Sequence, residues 1–137
     1  MKQLVLDAGP LIALFSTKDV DHATCKAGFQ QLKRTRTILL TPMPIIFEVY
    51  KWFLHAENPV VAQSVLKTMR NTLISIPIGE ADFEGVCLIT EAISSQWRGS
   101  LEDSTVILLA QRYQSPVWTL NYQDLGIFKA LEFWNPS

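Results

Sequence analysis

Leu4-Val5-Leu6-Asp7-Ala8-Gly9-Pro10-Leu11-Ile12-Ala13-Leu14-Phe15 is the stretch whose reading decides the fold. From Gln3 to Leu6 it is a short apolar run, the pattern of a strand buried on both faces. Asp7 ends that run at once. Gly9 and Pro10 then mark a turn and a helix start, because proline is tolerated in the first helical turn, where its missing N–H costs nothing. Leu11 to Phe15 continue the helix. A buried strand therefore passes almost directly into a helix, with a single carboxylate at the junction.

The same alternation repeats along the chain. Asp21 to about Arg34 reads as a helix with Ala23, Ala27 and Leu32 facing inward, followed by a strand at Ile38-Leu39-Leu40. Thr41-Pro42 has the form of an N-cap with proline at the first helical position. Ile45, Ile46, Val49, Tyr50 and Phe53 then carry a helical stripe. Asn58-Pro59 breaks it, and Val61 to Met69 begins another helix. Leu73 to Ile76 is a third strand, closed by Pro77. Glu80 to about Trp97 reads as helical and ends at Arg98-Gly99. Ser100 caps the next helix, which runs to Tyr113. Val117 to Leu120 is a fourth strand, and Leu131 to Trp134 a short fifth. Strands alternating with helices imply an α/β fold, a three-layer α/β/α sandwich with a central parallel sheet of four to five strands. In such sheets ligands bind beyond the carboxyl ends of the strands. Asp7 and the segment from Asn121 to Asp124 both lie there.

The 137 residues suit one domain spanning 1–137. Only 18% of them are charged, which excludes a disordered, solvating chain. Twelve basic and thirteen acidic residues leave a net charge of −1, so the protein is not a generally basic nucleic-acid binder. Any nucleic acid must be held by a local patch or through metal ions. Cys25 and Cys87 match no zinc spacing and read as reduced, buried thiols. No apolar run approaches the ~20 residues of a membrane span. The N-terminus lacks the pattern of a signal peptide, and the expected location is cytoplasmic.

Four acids stand in apolar or helix-start contexts: Asp7, Glu48, Asp103 and Asp124. Each has a purely structural reading. Asp7 suits a helix N-cap, and Glu48 can pair with Lys51 across a helical turn. Asp103 completes a capping box with Ser100, and Asp124 fits a turn. Together they also form a coherent chemical set. Hard cations such as Mg²⁺ and Mn²⁺ take oxygen ligands, and carboxylate-held metals activate water for attack on a phosphodiester. That chemistry needs no histidine, and neither His22 nor His55 has a partner pattern around it.

In order and surroundings the acids resemble the motifs of the PIN domain family, the PilT N-terminus nucleases that include VapC toxins. The opening stretch through Phe15 is similar to the first motif, a strand ending in Asp. Thr41-Pro42 through Phe47-Glu48-Val49 is similar to the second, in which a helix delivers a Glu. Asp103-Ser104-Thr105-Val106-Ile107-Leu108-Leu109-Ala110 is similar to the third, and Val117-Trp118-Thr119-Leu120-Asn121-Tyr122-Gln123-Asp124-Leu125 to the fourth. Leu131 to Pro136 resembles the final strand and tail. The resemblance covers nearly the whole chain.

It implies a metal-dependent ribonuclease that uses Mg²⁺ or Mn²⁺. Asp7, Glu48 and Asp103 would be the acidic triad, joined by Asp124 as catalytic and metal-holding residue, with Thr119 and Asn121 as secondary polar groups. The position two after Thr119 is often Asp in the family and is Asn121 here, which removes one formal charge from the expected metal site; Asp124 lies close enough to replace it. The implied substrate is RNA, and the implied partners are an antitoxin protein and a second copy of the chain. Trp52, Phe53 and Val60-Val61 are the candidate apolar patch for a homodimer. Tyr50, Trp52 and Phe53 are candidates for stacking on single-stranded bases but read first as core or dimer face, and Arg98 and Arg112, flanking Asp103, read as solvated helix-face residues with phosphate guidance as the alternative. The competing expectation is a catalytically weak or inactive PIN-like module that binds RNA or protein, favoured by Asn121 and the aromatics. A receiver-like domain is disfavoured, because Asp7 stands alone where such domains carry an acidic pair.

Overall fold

The computed structural model describes residues 2–93 and 95–137. Its elements follow in chain order: β1 (Gln3–Leu6), α1 (Ala8–Phe15), α2 (His22–Arg34), β2 (Ile38–Pro42), α3 (Met43–Ala56), α4 (Pro59–Thr72), β3 (Ile74–Ile76), α5 (Glu80–Ala92), α6 (Leu101–Tyr113), β4 (Val117–Trp118) and the single turn α7 (Tyr122–Leu125). The four strands form one parallel sheet in the order β3-β2-β1-β4. The architecture is the α/β/α sandwich that the alternation of elements predicts.

The sheet order follows from burial. Leu4, Val5 and Leu6 are fully buried, so β1 takes a central place and pairs on both edges, Val5 with Leu40 of β2 and with Val117 of β4. The chain winds outward from β1 through β2 to β3 and then returns to add β4 on the opposite side. The strand order therefore reverses between β1 and β4. The carboxyl ends of those two strands open a crevice there, the usual ligand position of such sheets. The Asp7 N–H donates to the Trp118 carbonyl at 3.0 Å, which ties the two strand ends together.

Several boundaries differ from the sequence reading, each for a physical reason. Thr41-Pro42 does not start α3. Both residues extend β2, where they pair with Ser75 and Ile76, and Pro44 occupies the first turn of α3 instead. Ala23 and Ala27 are exposed, and α2 turns Cys25, Gly28 and Leu32 inward. The cause is Trp118. A Cβ on Gly28 would lie 2.6 Å from its ring and 2.8 Å from Pro136, so the helix makes its closest approach to β4 at the one position without a side chain. Phe29 and Trp134 flank the same indole at centroid distances of 4.6 and 4.8 Å.

Asn58-Pro59 breaks α3 and also starts α4, because Asn58 Oδ1 accepts from the Val61 N–H at 2.9 Å and Pro59 follows in the first turn. The helix expected through Trp97 ends at Ala92, and Ser94 of the expected extension lies outside the described residues. The fifth strand is reduced to one parallel bridge, Val117 to Phe133. Phe53 is 1% exposed and packs edge-on against Phe15, so it belongs to the core and drops out of the apolar surface patch; Trp52 and Val60 remain exposed. Cys25 is buried, Cys87 is half-buried, and both are free thiols. Among the described residues no helix is long and apolar enough to cross a membrane.

Candidate functional site

Asp7 leaves β1 at the crevice and caps α1. Its Oδ1 accepts from the Ala8 N–H at 2.8 Å, and its Oδ2 accepts from the Thr119 hydroxyl at 2.7 Å. Thr119 Oγ1 in turn accepts from the Asn121 N–H at 2.8 Å. Thr119 follows β4, so this chain of bonds joins the two strand ends through side chains as well as backbone. Asp7 is 4% exposed. Burial pushes its carboxyl up to about 6, against the pull of the Thr119 and Ala8 bonds, and the Asp103 charge adds to the rise.

Asp103 sits in the first turn of α6 and closes the capping box anticipated from Ser100. The Ser100 N–H donates to Asp103 Oδ2 at 2.9 Å, and the Asp103 N–H donates to Ser100 Oγ at 3.1 Å. The capping and functional readings are therefore compatible. The cap fixes the carboxylate and leaves Oδ1 free of the box. Burial is the main reason its pKa lies above the ordinary value, bonds from Ser100 and Asn121 oppose the shift, and the Asp124 charge reinforces it. Asp124 lies in α7, which Asn121 caps. Asn121 Nδ2 donates to Asp124 Oδ2 at 3.1 Å, and the Asp124 N–H donates to Asn121 Oδ1 at 3.3 Å.

Glu48 projects from the middle of α3, half-buried. Burial first, then the charges of Asp7, Glu102 and Asp103, push its carboxyl up to about 7. Acids from three separate parts of the chain are thus coupled at the crevice: Asp103 acts on Asp7, both act on Glu48, and Asp124 acts on Asp103. Glu48, Asp103, Asn121 and Asp124 line one open groove of about 760 Å³, while Asp7 and Thr119 are buried and do not line it.

Other residues fall into place around this groove. Glu102 lines it and contributes to the charge on Glu48, a role the sequence reading did not assign. Its signal is its place beside Asp103 in the first turn of α6. Arg98 lines the groove, whereas Arg112 pairs with Asp82 on α5 and is no phosphate guide here. Among the described residues that is the one ion pair, so Glu48 has none with Lys51. His22 Nδ1 bonds the Ala13 carbonyl at 2.8 Å, and neither His22 nor His55 lines the groove.

The fit of a divalent cation can be judged from this donor set. Among the described residues no three His, Cys, Asp or Glu side chains converge closely enough to hold a metal by themselves. A closed protein cage, such as a structural zinc site, is therefore not the match. The acids nevertheless raise one another's pKa, and no Lys or Arg within ion-pair distance relieves them. A hydrated Mg²⁺ or Mn²⁺ answers that need. Mg²⁺ keeps several waters and uses one or two carboxylates together with substrate phosphates.

No protein-family model matches the sequence, and no curated protein matches it. Solved structures do. VapC20 of Mycobacterium tuberculosis, described as a sarcin-ricin loop cleaving toxin, superposes with a TM-score of 0.76 at 11% identity, over 91% of this chain and 95% of that one. VapBC2 of Rickettsia felis, bound to a DNA fragment from its promoter, gives 0.72 at 11% identity over 97% and 98%. A toxin–antitoxin complex from Klebsiella pneumoniae gives 0.62 at 16% identity over 98% of each chain. At these identities the likeness is one of fold, and it runs nearly end to end. The protein has a PIN-like fold. Within that class the form is the one seen in VapC proteins.

Proposed function

We propose that the protein is a Mg²⁺- or Mn²⁺-dependent endoribonuclease, the toxin member of a toxin–antitoxin pair, built as a single domain over residues 1–137. The observation that carries this reading is the placing of Glu48, Asp103 and Asp124 in one groove at the β1–β4 crevice beside the buried Asp7, whose charge and that of Asp103 both act on Glu48. The fold shared with a toxin described as cleaving the sarcin-ricin loop, and with a toxin–antitoxin complex, points the same way.

Of Asp7, Glu48, Asp103 and Asp124, one or two would hold the cation directly and the others through its waters. When bound, it supplies Lewis acidity toward the phosphoryl oxygen and lowers the pKa of water at the site. The chain does the rest by positioning. Thr119 fixes the Asp7 carboxylate, Ser100 fixes Asp103, and the Asn121 side chain fixes Asp124. Glu48, the most exposed member of the triad, lines the groove and is placed to orient the attacking water or to take its proton. The water oxygen bonds to phosphorus, the bond from phosphorus to the departing ribose oxygen breaks, that oxygen takes a proton from solvent, and two shorter RNA strands result.

The antitoxin would cover the open groove, and Trp52 with Val60 offers a face to a second copy. The competing reading, an inactive binding module, draws on Asn121, a neutral amide spent on fixing Asp124. Cleavage of RNA by purified protein with Mn²⁺ decides between them. Wild type should cut, and Asp103→Asn should not while remaining folded by circular dichroism. Equal cutting by both would refute the assignment, and cutting by neither would favour the binding module.

A further inference from the structure

The inward stripe of α3 is complete without Phe47. Ile45, Ile46, Val49 and Phe53 fill the core, and packing gives no reason for a phenyl ring at position 47. Phe47 is nonetheless 69% exposed, beside Glu48, and it lines the acid groove together with Ile78 and with Met43 and Pro44 of the preceding turn. Lys51 follows it by four residues, hence on the same helical face, and also lines the groove. Arg98 also lines the groove, and its chain neighbours are anchored. The Trp97 indole donates to the Asp124 carbonyl at 3.0 Å and packs edge-on against Phe128, and the chain at Gly99 lies so close to the Trp97 ring that no Cβ fits. Four carboxylates line this groove, yet neither Lys51 nor Arg98 is ion-paired.

We propose that Phe47, Lys51 and Arg98 form a nucleotide subsite beside the acids, which takes an unpaired base and its flanking phosphates from single-stranded RNA. The choice of RNA rests on the ribonuclease reading above. The subsite itself rests on one exposed ring that shares the groove with two cations, neither of them ion-paired among the described residues. An aromatic platform stacks any base, and a duplex keeps its bases stacked on one another and out of reach. Lys51 and Arg98, which share the groove with the ring, favour a polyanion as its ligand, and an antitoxin seated over the same groove would exclude that ligand. Because Phe47 is mostly solvated, its replacement leaves the core intact.

The test is binding of a short phosphorothioate-linked, single-stranded RNA, which resists hydrolysis, followed by fluorescence anisotropy in Mg²⁺. Phe47→Ala should weaken binding roughly 5- to 150-fold, the range for loss of one stacked base, whereas Phe47→Tyr should retain it. Lys51→Gln and Arg98→Gln should each reduce the slope of log affinity against log salt by about 0.7. Equal affinity for Phe47→Ala and wild type overturns the proposal. So does a wild type that ignores RNA but forms a dimer that Phe47→Ala abolishes, since the ring would then belong to a protein interface. Cleavage of ordinary RNA separates this from the larger reading. Phe47-dependent binding without cleavage defeats the ribonuclease and leaves the subsite standing. Cleavage with Phe47-independent binding defeats the subsite alone.

Discussion

Replacing Asp7 by Asn should make the metal-free protein more stable at neutral pH. An aspartate has an ordinary value of 3.8, and burial at the β1–β4 crevice lifts Asp7 to about 6. The folded state therefore holds the proton more tightly than the unfolded chain does. Its favourable contribution is complete below pH 3.8 and is lost as pH rises through about 6. Above that range the buried charge costs about 3 kcal/mol, from a difference of about 2 between the two values at 1.36 kcal/mol each. Asn has no charge to bury. It keeps an acceptor for the Ala8 N–H but presents an amide to the Thr119 hydroxyl, which loses its acceptor at a cost of about 1 kcal/mol. The net gain is about 2 kcal/mol, or roughly 5–10 °C in Tm for a chain of this length. Thermal melts followed by circular dichroism in EDTA, at pH 7.5 and pH 4, provide the assay. The gain should be present at pH 7.5 and largely vanish at pH 4. A variant less stable than wild type at pH 7.5, or one with the same gain at both pH values, would show that Asp7 is not held ionised at a cost.

Three further outcomes follow from neighbouring features. Thr41 is fully buried in β2, and its hydroxyl finds no hydrogen-bond partner among the described residues; Thr41→Val keeps the shape and should stabilise by about 1 kcal/mol at every pH in urea unfolding. Gly28→Ala should destabilise by about 1–3 kcal/mol in the same assay, because its methyl would meet the Trp118 ring and Pro136. Binding of Mn²⁺ should release protons, since Asp7 and Glu48, raised to about 6 and about 7, must ionise to hold it. Affinity should thus climb from pH 5.5 to about pH 7.5 and then level off, and calorimetry in buffers of different ionisation enthalpy counts the protons released.

Much of this was legible in the sequence, and the physical reasons for the exceptions are instructive. The parallel sheet was readable because Leu4-Val5-Leu6 has no polar residue between its apolar ones and stops abruptly at Asp7. Ser100 and Asp103 were readable as a cap because the motif is local, with both partners within one helical turn. What the sequence did not disclose is non-local. The inward face of α2 depends on where Trp118 lies, more than eighty residues away, and so Ala23 and Ala27 were misplaced. Thr41-Pro42 carries a genuine helix-start signature, which pairing with β3 overrides. The four acids were named from their order, but the bond from Thr119 to Asp7 spans 112 positions and appears only in the fold. Glu102 and Phe47 were missed for a simpler reason. Each stands beside a more conspicuous acid, and only their exposure to the same groove distinguishes them.

The central claim is that this cluster of acids exists to hold a divalent cation. The most direct test is the melting temperature of wild type and Asp7→Asn, measured side by side with and without Mn²⁺ at pH 7.5. A ligand of the native state raises stability by RT ln(1 + [L]/Kd), so millimolar Mn²⁺ at 100 times its Kd contributes about 2.7 kcal/mol. Wild type should melt several degrees higher with the metal, while the variant, already more stable without it, should not respond. An identical response in both proteins would place the metal elsewhere, and no response in wild type would contradict the account.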